Sequence, residues 1–248
     1  VSSGTWTVLM ARGTPASALR PERDMLANVD AWGGLAGTAR FMGGREYRAV
    51  AGPDAPPPGE VDLLRVLDAG ACVLPGFAGG GAFPRRHGTV LRAGGLDGAG
   101  RSALASLYLA LLTDLSLGLL HAAGEVVVDG PLARDPLYPV LLAALRPGSR
   151  LLRCPDSAGT VAGARCLVLG RKAPPPALEE VPPPAWAARV RAARRRWQRA
   201  LASPLAAEPG DTAGHIAGSI SPGPLPKAPP LPLPLAESAA PATPGGML

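Results

Sequence analysis

Residues 124–136 read GEVVVDGPLARDP, and this stretch decides the fold. Val126, Val127 and Val128 form a short apolar run of β-branched residues, the pattern of a strand buried on both faces. The run stops at Gly130-Pro131, a breaker pair. Pro136 then opens an apolar stretch to Leu145 that reads as a helix closed by Pro147-Gly148. Upstream, Ser102 to about Ala122 carries Leu almost all round, so it reads as a helix buried on most sides. Ser102 suits its N-cap and Gly124 its left-handed C-terminal position. Downstream, Leu151–Cys154 is a second short strand, and Gly159–Leu169 a small-residue helix suited to tight packing on a sheet.

Ahead of this unit, Ser2–Met10 is a β-type run around Gly4. Met25–Asp30 and Gly37–Met42 are two more runs, joined by the turn signal Trp32-Gly33-Gly34. Together they predict an antiparallel meander. Gly43-Gly44 leads into a short helix over Arg45–Ala51. Asp54–Gly59 is a Pro-rich loop, Val61–Leu67 a helix, and Leu74–Gly100 a long Gly-rich excursion. The order is meander, helix, strand, helix, strand, helix, which predicts an α/β domain with a mixed sheet flanked by helices.

After these elements, residues 185–202 read as one helix. Trp186, Val190, Ala193, Trp197 and Leu201 recur at steps of three or four, and the arginines between 189 and 199 fall mostly on the other, solvated, side. Residues 203–248 contain Pro222-Gly-Pro-Leu-Pro and Ala228-Pro-Pro-Leu-Pro-Leu-Pro. Such a segment cannot bury enough surface to offset its ordering entropy, so a disordered Pro-rich tail is expected, with domain boundaries of 1–202 and 203–248.

Composition bounds the function. The 248 residues are 47% hydrophobic but only 4% aromatic, so the core must be built from Leu, Val and Ala. The net charge of +6 comes almost wholly from arginine, Lys172 and Lys227 being the lysines. Arg, Ala, Gly and Pro are abundant together, as in a GC-rich coding sequence, so the charge alone says little. No aromatic-interleaved basic platform accompanies it, which argues against nucleic acid. Cys72, Cys154 and Cys166 are odd in number and lack C-x-x-C spacing, so reduced thiols of a cytoplasmic protein fit better than disulfides or zinc. No signal peptide is visible, and Asp114 in the most apolar stretch is costly in a bilayer, so no membrane association is expected.

Four stretches in this order resemble the C-terminal domain of the FGGY family of carbohydrate kinases: Ser2-Ser3-Gly4-Thr5-Trp6, Thr38-Ala-Arg-Phe-Met-Gly-Gly-Arg-Glu46, Ala105-Ser-Leu-Tyr-Leu-Ala-Leu-Leu-Thr-Asp114 and Val128-Asp-Gly-Pro-Leu-Ala-Arg-Asp-Pro136. Asp156-Ser-Ala-Gly-Thr-Val-Ala-Gly-Ala164 follows. The branch it looks most like holds ketose kinases related to fuculokinase and rhamnulokinase. The resemblance implies an actin-like ATPase (ribonuclease H-like) fold, ATP with Mg²⁺ as cofactor, and a small sugar as phosphoryl acceptor. It also implies a missing N-terminal kinase domain and a catalytic base upstream of Val1, so this chain looks like a fragment that is inactive alone. Whether it forms a homodimer is left open.

The same resemblance implies that Ser3, Gly4, Thr5, Gly44, Arg48, Gly130, Pro131 and Asp135 bind the nucleotide. The residue chemistry agrees. Gly4 admits a close phosphate, and Thr5 offers it a hydroxyl and an amide. Gly44 just before a helix would present outward amides. Gly130-Pro131 lies at a strand's carboxyl end, where α/β sheets bind ligands. Arg48 would lie along the adenine. Asp135, where the family usually has Asn, could accept from ribose or adenine, or simply cap the helix that begins at Pro136. Two rivals stand beside this reading: an interaction protein acting through its P-x-x-P tail, and an α/β domain for another nucleotide, which the lack of a G-x-G-x-x-G opening a βαβ unit disfavours.

Overall fold

The computed structural model describes residues 1–156, 159–169 and 177–203. The expected disordered tail over 203–248 lies outside them apart from Ser203.

The meander forms from the three β-type runs. Strands β1 (Ser2–Ser3), β2 (Thr7–Arg12), β3 (Met25–Val29) and β4 (Leu35–Phe41) pair antiparallel in the order β1-β2-β4-β3. Leu9, Ala39 and Met25 form one buried row across β2, β4 and β3. The first run is broken at Gly4–Trp6, so β1 and β2 are separate strands joined by a tight turn. Helix α1 (Gly43–Ala51) follows, then α2 (Glu60–Ala69).

The Gly-rich excursion hides a hairpin that the sequence does not announce. Strands β5 (Cys72–Leu74) and β6 (Thr89–Leu91) pair across its ends. Each is three residues long, and Gly76, Gly79, Gly80 and Gly81, all at positive φ, spread the reversal between them over a long loop in place of one tight turn.

Helix α3 (Gly98–Leu119) is the core element. It begins earlier than expected. Asp97, not Ser102, is the N-cap, its carboxylate accepting from Gly100 N at 2.8 Å, and Ser102 lies inside with its hydroxyl on Gly98 O. Gly98 and Gly100 weaken the helical signal of that first turn. At the other end His121, at φ +55, takes the left-handed position, and Ala122 N closes back onto Leu117 O at 2.9 Å. Gly124 (φ +78) serves the next turn instead. The helix is long and apolar enough to cross a membrane, yet 83% of its most apolar window is buried inside the fold. It packs on α1, α2, β2, β5 and on α4 (Tyr138–Leu145).

Strand β7 (Glu125–Val128) pairs parallel with β8 (Arg150–Arg153), which pairs antiparallel with β9 (Glu179–Glu180). A parallel bridge between Ser2 and Asp129 joins this sheet to the meander. The strands therefore run β3-β4-β2-β1-β7-β8-β9, a mixed sheet with β1, β4, β7 and β8 pointing the same way. Helix α5 (Gly159–Leu169) follows β8. It is less tightly packed than its small residues suggest, with Val161 73%, Leu167 69% and Val168 82% exposed.

Helix α6 (Ala187–Ala202) buries Val190, Ala193 and Trp197 of the expected face together with Ala187, with Trp186 and Leu201 half-buried, and Trp197 Nε1 donates to Val73 O at 2.8 Å. Its arginines are not merely solvated. Arg191 donates to Ala144 O at 3.1 Å and Arg194 to Leu145 O at 3.2 Å, closing the last turn of α4; Arg196 reaches Leu67 O at 3.4 Å and Arg189 pairs with Asp68 at the end of α2. Helix ends leave carbonyls unsatisfied and carry partial negative charge, which guanidinium donors offset. Asp114 completes the network, 3.1 Å from Arg146 and 3.0 Å from Arg194. Its side chain is 11% exposed and that of Arg146 13%.

Removing one member of a buried ion network leaves the others uncompensated. Asp114→Ala is expected to lower the unfolding free energy by about 3 kcal/mol in urea denaturation, whereas Arg65→Ala, whose side chain is 63% exposed, should change it by less than about 1 kcal/mol.

Candidate functional site

Parallel β1, β4 and β7 end at one edge of the sheet, so three turns meet there: Gly4–Trp6 after β1, Met42–Gly44 after β4, and Asp129–Pro131 after β7. The β1–β7 junction is fixed by backbone bonds, Ser3 N to Asp129 O at 3.0 Å and Asp129 N to Val1 O at 2.8 Å. Ser3 Oγ donates to Asp129 O at 2.7 Å and accepts from Leu132 N at 3.0 Å. A side chain at position 130 would overlap the Ser3 carbonyl, and the backbone there has φ +88. Only glycine meets both demands.

The β1–β4 side is equally close. A Cβ at Gly44 would sit 3.1 Å from Gly4 O and 3.4 Å from Thr5 Cα, and one at Gly43 would overlap the Thr7 hydroxyl. Gly44 lies one residue inside α1 rather than before it, and its amide donates to Thr5 O at 3.3 Å. Its contribution is therefore close backbone approach more than a free N–H. Gly4 and Thr5 are exposed at the tip of their turn. The Arg40 guanidinium lies over the Trp6 ring, 4.8 Å from its centroid, and pins this turn to β4.

Asp135 stands between the third turn and α4. Its Oδ1 accepts from Leu137 N at 2.9 Å and Tyr138 N at 2.7 Å, and its Oδ2 from Ser106 Oγ at 2.9 Å. The carboxylate thus organises the first turn of α4 and ties it to α3. Tyr47, one turn after Gly44, faces the same cluster. Burial raises its hydroxyl above the ordinary phenol value, and the Asp135 carboxylate adds to this, while the nearby Ser102 and Ser106 hydroxyls oppose it. Arg48 is exposed on the neighbouring face of α1.

So the structure brings Ser3, Gly4, Thr5 and Gly44 into contact, sets Gly130 and Pro131 against Ser3, and reaches Asp135 through Tyr47 and Ser106. Arg48 is placed only on the rim. Three residues escaped the sequence reading. Tyr47 lacked a visible partner until α1 met α3. Thr7 carries a fully buried hydroxyl with no hydrogen-bond partner among the described residues. Asp129 has a buried, unpartnered Oδ1, and its Oδ2 would lie 2.9 Å from a Cβ at Gly159, the first residue of α5. The doubled Gly43-Gly44 was the one signal for Thr7, since only a side-chain-free pair lets α1 start that close to β2.

An open cleft of about 250 Å³ lies elsewhere, between the C-terminal ends of α3 and α4 and the middle of α6, lined by Asp114, Arg146 and Arg194 among others. Its charged groups are engaged with helix-end carbonyls and with one another. Among the described residues no three His, Cys, Asp or Glu side chains converge as a metal site.

Residues 1–176 match the model of the carbohydrate kinase FGGY C-terminal domain. Among solved structures, a carbohydrate kinase from Novosphingobium aromaticivorans is 31% identical, with a TM-score of 0.69 over 82% of this chain and 46% of that one. The xylulose kinase from Rhodospirillum rubrum is similar in fold, with 18% identity and a TM-score of 0.59 over 81% of this chain and 46% of that one. The chain thus spans under half the length of these relatives. Among curated proteins there is no match.

Gly130→Ala should separate β1 from β7. The expected loss is about 1–3 kcal/mol of stability, with faster hydrogen exchange at the Ser3 and Asp129 amides. Gly148→Ala, which meets open space, should leave both unchanged.

Proposed function

The chain belongs to the FGGY family of carbohydrate kinases, as a C-terminal domain with the actin-like ATPase (ribonuclease H-like) fold, and we propose that it is the nucleotide-binding half of an ATP-dependent kinase of a small sugar, a ketose in the first instance. The observation that carries this reading is the meeting of three turns at one sheet edge, where Thr5 is exposed, Gly44 half-buried and Gly130 packed against Ser3 beneath them, beside the N-terminus of α1.

In this reading the turn at Gly4-Thr5 takes the terminal phosphates. Thr5 supplies a hydroxyl and an amide, and the α1 dipole favours the negative charge. Gly44 keeps the wall thin enough for the phosphates to approach β1. Gly130 and Pro131 border the sugar–base end, where Asp135 offers ribose or adenine the lone pairs that α4 and Ser106 leave unused, and Arg48 lies along the base. Mg²⁺ would travel on the nucleotide's phosphates, where it neutralises charge. The reaction is in-line transfer of the terminal phosphoryl group to a primary hydroxyl, a step governed by positioning and electrostatics.

The other wall of such a cleft, with the sugar site and the base that takes the hydroxyl proton, would lie in the half of the relatives' length that this chain does not span. Residues 1–248 are therefore expected to bind nucleotide weakly and turn nothing over. A cytoplasmic location follows the same family reading. The alternative, an interaction protein acting through the Pro-rich tail over 203–248, concerns residues that lie almost wholly outside the described ones.

Calorimetry with ATP and Mg²⁺ on the 1–248 chain tests the site. Thr5→Val preserves shape but removes the hydroxyl and should weaken binding by about 1.5–3 kcal/mol; equal affinity would reduce Thr5 to a turn residue. A coupled ADP-release assay over a ketose panel should stay at background, and sugar-dependent turnover would show that the chain supplies its own base.

A further inference from the structure

The meander carries two stacks of the same make, one at each end. At the β3–β4 turn, Asp30 Oδ2 lies 3.0 Å from Arg12 Nε, and the Arg12 guanidinium is 5.5 Å from the Trp32 centroid. At the opposite end, Arg40 Nε and Nη2 both reach Asp24 Oδ1 at 3.4 Å, and the Arg40 guanidinium is 4.8 Å from the Trp6 centroid. The two carboxylates are used differently. Asp30 turns its Oδ1 to the amides of Trp32 and Gly34, within its own turn. Asp24 turns its Oδ2 to Gly81 N at 2.6 Å, an amide 57 residues away in the loop between β5 and β6.

That loop is compact. A Cβ at Gly76 would overlap Arg86 O and one at Gly88 the Phe77 ring, so its two limbs touch. Glu46, buried in the first turn of α1, accepts from Ala78 N at 3.1 Å and from the Tyr108 hydroxyl at 2.8 Å. With Asp24 on Gly81, the tip is held from both sides, and Gly79 and Gly80 between the anchors are exposed. The fit is close: a Cβ at Gly80 would sit 2.8 Å from Asp24 Oδ2, and one at Gly81 3.0 Å from Phe41 Cβ. Asp24 itself is left-handed at φ +54, a conformation that Asp tolerates better than most residues.

The Gly4–Trp6 turn has little else to hold it. Gly4 and Thr5 are exposed, and Trp6 is its one half-buried side chain. An exposed ion pair alone contributes little, because two long side chains must be ordered to make it. Here a backbone amide has already fixed the carboxylate on which Arg40 docks. We propose that Asp24 is a positioning residue that couples the glycine tip at 78–81 to the Gly4–Trp6 turn: the tip fixes the carboxylate, the carboxylate fixes Arg40, and Arg40 holds Trp6. Its consequence for ATP rests on the nucleotide reading above, since that turn supplies Thr5 and the carbonyl that Gly44 N meets.

NMR on the 1–248 chain reads the coupling without nucleotide. The Arg40 Nε proton, held by the indole ring, should resonate upfield, and the Gly44 amide, bonded to Thr5 O, should exchange slowly. Asp24→Gly removes the carboxylate at a left-handed position that glycine accepts. It should return the Arg40 signal toward its ordinary shift and speed exchange at both Gly81 and Gly44 by about 3–10-fold. Gly80→Ala crowds the carboxylate from the loop side and should produce the same changes at Arg40 and Gly44. Arg12→Met breaks the other stack and should produce neither. In calorimetry with ATP and Mg²⁺, Asp24→Gly should bind about 3–10-fold more weakly, and Arg12→Met as tightly as the unaltered chain. The coupling is overturned if Asp24→Gly and Gly80→Ala disturb Gly81 alone, or if Arg12→Met moves Gly44 as much as they do. Unchanged ATP affinity in Asp24→Gly overturns the positioning role. An unaltered chain that binds no ATP overturns the nucleotide reading instead, and the Arg40 and Gly44 signals then decide the coupling by themselves.

Discussion

A strand of two residues joins the halves of the sheet, and it can do so only because position 130 has no side chain. Ser2 and Ser3 are paired on one side with β2 and on the other with Asp129, and Gly130 turns away at φ +88 against the Ser3 carbonyl. Without that close approach the meander and the β7–β8 unit would be two separate sheets, and the turns after β1 and β7 would not share an edge. The doubled glycine at 43–44 does the same between β1 and α1. Everything proposed about the nucleotide depends on these two tight junctions, which let backbone form much of the wall that a phosphate would approach.

Behind the junctions, α3 supplies rigidity. It touches α1, α2, α4 and the sheet, so the positions of Gly44 and Asp135 are both referred to one buried cylinder through Tyr47 and Ser106. Its apolar surface cannot by itself orient α4 and α6. That orientation comes from the arginines of α6, which fill the donor-poor ends of α2 and α4, with Asp114 on α3 as their counter-charge. The basic character of α6 is in this way mostly structural.

Much of this was legible in the residues. The β-type runs and the Trp32-Gly33-Gly34 turn gave the meander, the valine run with its Gly-Pro stop gave β7 and its carboxyl-end turn, and the step of three or four gave the buried face of α6. What the sequence hid were features decided by distant partners. A six-residue hairpin split by fourteen residues has no local turn signal. Two glycines masked the first turn of α3, and His121 took a left-handed place that Gly124 advertised. The arginines of α6 looked solvated because the carbonyls they meet belong to α2 and α4. At the site, Gly44 falls inside α1 because Met42 O already accepts the bonds that open the helix. Asp135 looked ambiguous between cap and ligand contact, and its three protein donors make the capping role concrete.

The most direct measurement is residue-resolved hydrogen exchange on the 1–248 chain with and without ATP and Mg²⁺. The account predicts that protection appears together at Thr5, Gly43 and Gly130, three turns far apart in sequence, and leaves the cleft around Arg146 and Arg194 unchanged. Protection confined to that cleft, or to one turn without the other two, would contradict the claim that the sheet edge is a single nucleotide wall.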